Sequence, residues 1–448
     1  MWSSVEEKIT DGVSGLSPNT QPVAVLVGTC SKGTVNFPIS LGKTSQTEEV
    51  LGYGNLPRRL TEMQENMADV SIIAVPSKAD QAGSIGSVKK KGSGNLTVSG
   101  SPLCSALVNV VTVTPGQAGT AEVWIEIFGD CNKEETVLVP TNRTIFSKEL
   151  GISILFPEGT LTLENSWSFS ITAPASTFNS LKAALDTALE LYHPEFVFVC
   201  QELGAEDVKK WEAYTEKLFS DQHQPLFALL ETGLDSTKSL SEAISQKVKE
   251  FKKIDARFVS VVCQPLQNYQ SAAALCAGTL TKASVNQSIG ATKHFGLSHI
   301  QLPKDWTNHQ SRTLDEARLI TLRTYPGLNG YFWTNGRTLA SDTSDYRFIE
   351  VVRTVFKAIR LARRASLPYI QAPGDKSGLE SLLAEVRMAL TVMTAANPKE
   401  IEDFVVEMPK GQDIVNNGVQ INIALYGIPI IRKIVLNFMF KYHQRRED

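Results

Sequence analysis

The sequence lacks the features of a secreted or membrane-spanning protein. Its 448 residues contain no uninterrupted apolar run of about 18 residues, the length that a membrane-spanning helix needs. The most apolar segment, residues 421–440, is interrupted by Pro429, Arg432 and Lys433. The first 20 residues carry acidic side chains where a signal peptide needs an apolar core. We therefore expect synthesis in a cytoplasm and no membrane insertion.

Signals for catalysis and metal binding are also missing. The six cysteines are scattered, and none belongs to a CxxC pair or to a Cys/His cluster, which argues against a zinc site. Their positions inside apolar runs favour reduced, buried thiols. No GxSxG elbow, HExxH helix or calcium-binding loop occurs. The sequence therefore predicts no catalytic, metal-binding or cofactor-binding residues, no cofactor and no enzymatic activity.

One tripeptide resembles the end of a phosphate-binding loop. Gly42-Lys43-Thr44 follows a predicted strand, but Phe37 stands where the complete motif needs its first glycine. A plain loop is the favoured interpretation. A nucleotide-dependent α/β enzyme remains an alternative, which nucleotide binding by the isolated monomer would support.

The apolar pattern predicts a mixed α/β core. Residues 23–27 and 70–75 form continuous apolar runs, typical of buried parallel strands, with a helical segment between them. From residue 177 onward, helices again alternate with buried strands. Residues 101–176 instead alternate with period two and follow a linker-like segment, 82–100, rich in Gly, Ser and Lys. We therefore expect a small all-β domain inserted into the α/β chain.

These changes of pattern divide the chain into five parts. The expected parts are an N-terminal arm (1–20), the first part of the α/β core (21–90), the inserted β-rich domain (91–176), the second part of the core (177–310) and a C-terminal domain (311–448).

Two β-prone segments, 419–426 and 434–440, end the chain. Exposed strand edges invite association, so we expect these strands and the N-terminal arm to be exchanged between identical subunits. The alternative is that both strands complete the chain's own sheet. The side chains expected at the inter-subunit strands are Ile421, Ile423, Leu425, Val435, Leu436, Phe438 and Phe440.

A basic stripe is predicted along a long helix over residues 344–366. Its members recur at spacings of four, three and four residues, which places them on one face: Arg353, Lys357, Arg360 and Arg364. Because four like charges repel one another, we expect an acidic partner. A nucleic-acid-binding helix remains an alternative that salt-sensitive binding would support. It is less favoured because no aromatic side chains interleave with the basic ones and the net charge is −3.

The segment before this helix resembles that of contractile tail sheath proteins. Residues 333–342 read WTNGRTLASD, and residues 345–349 read DYRFI before the Arg-rich helix. The family has an aromatic residue and a GARTL-like run here, where this chain has Asn335-Gly336 in place of Gly-Ala. This chain also has one arginine, Arg353, where the family commonly has two. The resemblance covers about residues 315–448 and includes the order of the C-terminal elements.

The resemblance implies a structural subunit rather than an enzyme. Sheath subunits form a helical stack of six-membered rings around an inner tube, together with baseplate and terminator proteins. The sheath contracts without hydrolysis and drives the tube through a target envelope. The basic stripe would then face the tube or another subunit, and no nucleic acid would be bound. Phage tails, phage-like bacteriocins, extracellular injection particles and type VI secretion systems all remain possible settings.

Overall fold

The computed structural model describes residues 23–440 except for 132, 236 and 268–269, so the predicted arm over 1–20 lies outside the described residues. The helices are α1 (Thr47–Leu51), α2 (Asn55–Asn66), α3 (Phe178–Leu189), α4 (Ala205–Ser220), α5 (Leu240–Phe251), α6 (Ala272–Lys282), α7 (Asn308–Glu316), α8 (Ile349–Ser366), α9 (Lys376–Ala395) and α10 (Ile414–Asn417). The strands are β1 (Ala24–Gly28), β2 (Ile39–Leu41), β3 (Ile72–Pro76), β4 (Ser84–Ile85), β5 (Lys89–Lys91), β6 (Thr97–Gly100), β7 (Ala106–Thr114), β8 (Glu122–Gly129), β9 (Lys133–Leu138), β10 (Thr144–Ser147), β11 (Ile152–Leu155), β12 (Ser166–Thr172), β13 (Phe196–Glu202), β14 (Phe227–Glu231), β15 (Val259–Val262), β16 (Leu322–Arg323), β17 (Phe332–Trp333), β18 (Asp403–Glu407) and β19 (Asn422–Tyr426).

A six-stranded sheet forms the centre of the α/β core, in the order β15-β14-β13-β1-β3-β2. All pairs are parallel except that of β2 with β3 at the edge. Every residue of β1 and β3 is buried, because α2, α6 and α8 cover one face of the sheet and α3, α4 and α5 cover the other. The predicted mixed α/β fold is therefore confirmed.

The β-rich insertion connects β3 to α3 and has a core of its own. One sheet has the order β4-β12-β7-β8-β9, with β5 also paired to β12, and a second has the order β10-β11-β6. Trp167 and Phe156 pack edge to face within the insertion core, with ring centroids 6.0 Å apart. The interpretation of residues 82–100 as a linker is wrong, because this segment supplies β4, β5 and β6. These strands are short and polar, and their pairing depends on distant β11 and β12.

The two ends of the insertion lie side by side. Gln81 and Ala175 exchange two backbone hydrogen bonds, each 3.0 Å long. The five-part division itself stays a prediction, and this geometry supplies a sharper test of it.

We expect replacement of residues 82–174 by a short Gly/Ser linker to leave a soluble α/β core with a single cooperative thermal transition, because the chain ends already meet. The matched control replaces only residues 101–171. This change removes the pairing partners of β4, β5 and β6 and should reduce solubility. Far-UV circular dichroism and sedimentation measure both outcomes. An insoluble 82–174 variant would show that the core depends on the insertion.

The C-terminal elements pack as a second apolar cluster beside the core. Helix α8 joins α9, β18 and β19 around Val386, Leu390 and Met393. Helix α8 begins at Ile349 and not at residue 344, because Phe348 is extended and pairs with Arg337 in an antiparallel bridge. The predicted helix start at residue 344 is therefore corrected to Ile349, with Phe348 as the N-cap residue. In the described part of the chain, no helix is both long and apolar enough to span a bilayer.

Candidate functional site

The end of the described chain exposes many large apolar side chains. Residues 427–440, here called the C-terminal segment, form no helix or strand, although a strand is predicted over 434–440. The exposed apolar side chains are Ile431, Ile434, Val435, Leu436, Phe438, Met439 and Phe440. Contiguous exposure of this kind marks an interaction site. Burying each such side chain stabilises a complex by about 1.5–3 kcal/mol before ordering costs.

A two-stranded sheet precedes the C-terminal segment. Strands β18 and β19 pair antiparallel from Asp403↔Tyr426 to Glu407↔Asn422, and within the described residues no third strand joins either outer edge. An isolated two-stranded sheet has little stability of its own, and its open edges can accept a strand.

The structure separates the two predicted sets of inter-subunit residues. Ile421 and Leu425 are half-buried against the cluster of α8, α9 and β18, whereas Ile423 is 38% exposed. Val435, Leu436, Phe438 and Phe440 are all exposed. The first set therefore holds β19 to its own subunit, and contact with a neighbour stays a prediction for the second set and Ile423.

Arg432 fastens the C-terminal segment to its own subunit. Its guanidinium pairs with the Glu350 carboxylate and lies 3.5 Å from the Phe348 ring centroid. The Glu350 side chain is only 5% exposed, and this burial raises the pKa of its carboxyl group, an effect that Arg432 opposes. In the sequence, Arg432 stands out only as an interruption of an apolar run. A single arginine within a β-prone apolar segment is the signal that could have identified it.

The predicted basic stripe is largely engaged inside the chain. Arg353 is 3% exposed and pairs bidentately with Glu195, on the loop before β13. Lys357 pairs with Glu400, with 2.6 Å between Nζ and Oε1.

Arg360 is also engaged, since it donates to the carbonyl oxygen of Pro225 at 3.0 Å. Burial lowers the pKa of its guanidinium, and the Glu195 carboxylate opposes this shift. Within the stripe, only Arg364 is exposed. Three of the four basic side chains therefore have partners within the chain, so their mutual repulsion does not require an external acidic partner. Contact with a tube or another subunit stays a prediction, with Arg364 as the accessible position.

The segment with the family-like sequence connects α8 to the central sheet. The Leu339 amide donates to the Val259 carbonyl at 2.9 Å, which extends the sheet beyond β15. The Thr338 hydroxyl donates to the Tyr346 carbonyl at 2.7 Å, closing the loop before α8. These contacts are structural, and they fix α8 relative to the sheet.

Gly42-Lys43-Thr44 lies in a turn, as the sequence predicts. The Gly42 amide donates to Ser45 Oγ at 2.9 Å, and the Gln64 side chain donates to the Gly42 carbonyl at 2.8 Å. The loop is thus closed by internal hydrogen bonds and precedes only the five-residue helix α1. Among the described residues, no group of three His, Cys, Asp or Glu side chains is placed to hold a metal ion.

The fold of this chain is shared with sheath proteins whose structures are known. The structure of the anti-feeding prophage helical sheath in its contracted state is similar over 98% of this chain and 99% of that chain, at 15% identity and a TM-score of 0.55. An extracellular contractile injection system, the PVC sheath complex in its contracted state, is similar over 98% of both chains, at 12% identity and a TM-score of 0.53. A sheath tail protein from Desulfitobacterium hafniense is similar over 95% of this chain and 100% of that chain, at 14% identity and a TM-score of 0.51.

The chain belongs to the DUF2586 family. The family's N-terminal domain matches residues 2–337, and its C-terminal domain matches residues 345–445. A Haemophilus phage HP1 (strain HP1c1) protein, named as a tail sheath protein, is 27% identical over 166 residues. That match covers 35% of this chain and 44% of the phage protein, so less than half of the relative is matched. The predicted resemblance to contractile tail sheath proteins is confirmed.

Proposed function

We propose that this chain is the structural subunit of a contractile tail sheath, which polymerises helically around an inner tube and contracts to drive the tube through a target envelope. The observation that carries the proposal is the exposure of the apolar side chains in the C-terminal segment. Those that follow Arg432, which is paired with Glu350, are all exposed. The fold shared with two sheaths in the contracted state supports it. The work of contraction would come from new contacts between subunits, so no active site or cofactor is required.

The partners follow from this proposal. They are further copies of the chain in a helical stack of six-membered rings, an inner tube protein, and baseplate and terminator proteins. Subunits would be made in a bacterial cytoplasm and assembled into a phage tail or a phage-tail-like particle.

The contacts of α8 suggest which parts of the subunit move together. Arg353 and Arg360 tie α8 to the loops before β13 and β14, so the helix and the core would rotate as one body. Arg432 holds the start of the C-terminal segment on this body, whereas residues 434–440 would remain in a neighbour's sheet. The chain between these two attachments would act as the hinge.

Electron microscopy of the purified full chain tests the proposal. We expect tubes with a sixfold end view, formed without nucleotide and more readily at high protein concentration, because association is driven by apolar burial. The matched control is the chain with serine at Ile434, Leu436 and Phe438, which should remain dispersed. Monomers that bind nucleotide and never form tubes would support the enzyme alternative instead.

A further inference from the structure

Two thiols face each other at the base of the insertion. Cys104 precedes β7 and Cys131 follows β8, and the register pair Ala106↔Gly129 places them opposite one another two residues further along. Their sulfur atoms are 3.5 Å apart, and both cysteines are free thiols. Directly opposed residues of antiparallel strands have Cα atoms about 4.5–5.5 Å apart. That range falls within the one that a disulfide needs.

A small oxidant can reach this pair. Cys104 is buried and Cys131 is half-buried, and both line a cavity of about 390 Å³ together with Arg58 and Glu149. The hydrogen bond from Cys131 lowers the pKa of the Cys104 thiol, and the nearby Arg58 guanidinium acts in the same direction against burial. Cys104 therefore forms a thiolate more readily than an isolated buried cysteine such as Cys276, whose pKa burial raises. The same hydrogen bond, together with burial, raises the pKa of the Cys131 thiol.

The thiol pair also lies next to a contact between the insertion and the core. Asp130, next to Cys131, pairs with Arg58 of α2 and accepts a hydrogen bond from the Ser105 amide. The side chains of Asp130 and Arg58 are 4% and 12% exposed. A disulfide between Cys104, which precedes Ser105, and Cys131, which follows Asp130, would hold this carboxylate in its docking position.

We propose that Cys104 and Cys131 form a reversible disulfide that closes on exposure to a hydroperoxide and fixes the insertion against the core. One thiolate of the pair attacks a peroxide oxygen and displaces hydroxide, giving a sulfenic acid. The second thiolate attacks that sulfur, and the sulfenic oxygen leaves as water after taking up a proton. The two thiols lose two electrons and two protons, and hydrogen peroxide becomes two waters. The inference does not depend on the proposed function.

Thiol counting and peptide mass spectrometry test the proposal on the full chain. After mild hydrogen peroxide treatment and alkylation in denaturant, we expect four reactive thiols in place of six, with a dithiothreitol-sensitive link between the peptides that contain Cys104 and Cys131. The apparent Tm of the insertion should rise by about 5 °C or more, because the bond closes a loop of β7 and β8. Amide exchange at Ser105 and Asp130 should slow.

Three variants keep the test decisive. The C131S and C104S variants should retain all their remaining thiols after peroxide and show no Tm shift, and C276S should still form the link. If C104S fails to fold, the half-exposed position of C131S still supplies the comparison. Recovery of both cysteines as alkylated thiols or as sulfinic acids would overturn the disulfide. A link without slower amide exchange would overturn its docking role.

Discussion

The R353E variant is expected to lose about 3–5 kcal/mol of unfolding free energy, because it removes the bidentate partner of the half-buried Glu195 carboxylate and adds a second carboxylate beside it. Arg353 and Glu195 side chains are 3% and 13% exposed, so solvent screens this pair weakly. The exposed R364E variant is the matched control on the same helix. It should change the unfolding free energy by less than about 0.5 kcal/mol. Urea denaturation followed by circular dichroism measures both values.

This comparison separates an internal role of the basic stripe from an external one. If Arg353 instead serves a tube surface, R353E should fold as well as R364E and fail only in co-assembly with the tube. A double variant that reverses the pair, R353E with E195R, should recover part of the lost stability if the two side chains act on each other. Unchanged denaturation midpoints for R353E would contradict the structural assignment.

Removal of residues 434–448 is expected to abolish polymerisation while leaving the Tm of the monomer within about 2 °C of the full chain. Exposed side chains between 434 and 440 contribute little to the fold of their own subunit, whereas each would add about 1.5–3 kcal/mol when buried in a neighbour. The cut retains Arg432, so Glu350 keeps its partner and the buried carboxylate is not left alone. Sedimentation and negative-stain microscopy measure assembly, and calorimetry measures the Tm.

Two substitution sets refine the truncation. If residues 434–440 dock as a strand, side chains at Ile434, Leu436 and Phe438 share one face, and those at Val435 and Met439 share the other. Serine at Ile434, Leu436 and Phe438 should block assembly, whereas serine at Val435 and Met439 should not. Equal, weak effects from both sets would argue against docking as a strand. Unfolding of the truncated monomer would show that the segment pairs within its own chain.

Continuous apolar runs made the α/β core readable from the sequence. Residues 23–27 and 70–75 are covered by helices on both faces, so burial required apolar side chains at every position. Strands β2, β4 and β5 were missed because they are two or three residues long and lie at sheet edges or pair with a distant strand. Such strands have no period of their own to detect.

The destination of the basic stripe could not be read in the same way. Helical spacing shows which side chains share a face, but it does not show what lies opposite. Arg353 pairs with Glu195, which is 158 residues away in the sequence. Arg360 donates to Pro225, which is 135 residues away. The pairing of Arg432 with Glu350, across 82 residues, was hidden for the same reason. Charge patterns along one helix therefore predict the need for partners but not whether they belong to the same chain.

The two ends of the insertion meet at the core, and this allows the inserted domain to vary in size. Because Gln81 and Ala175 exchange backbone hydrogen bonds, the chain enters and leaves the insertion at one place, whatever the size of the inserted domain. Growth, shrinkage or exchange of the domain would change the closure of a loop whose ends are already held, at an entropic cost that rises only slowly with length. In the polymer proposed above, an inserted domain held in this way could be exchanged for another in every copy while the fold of the α/β core stays the same.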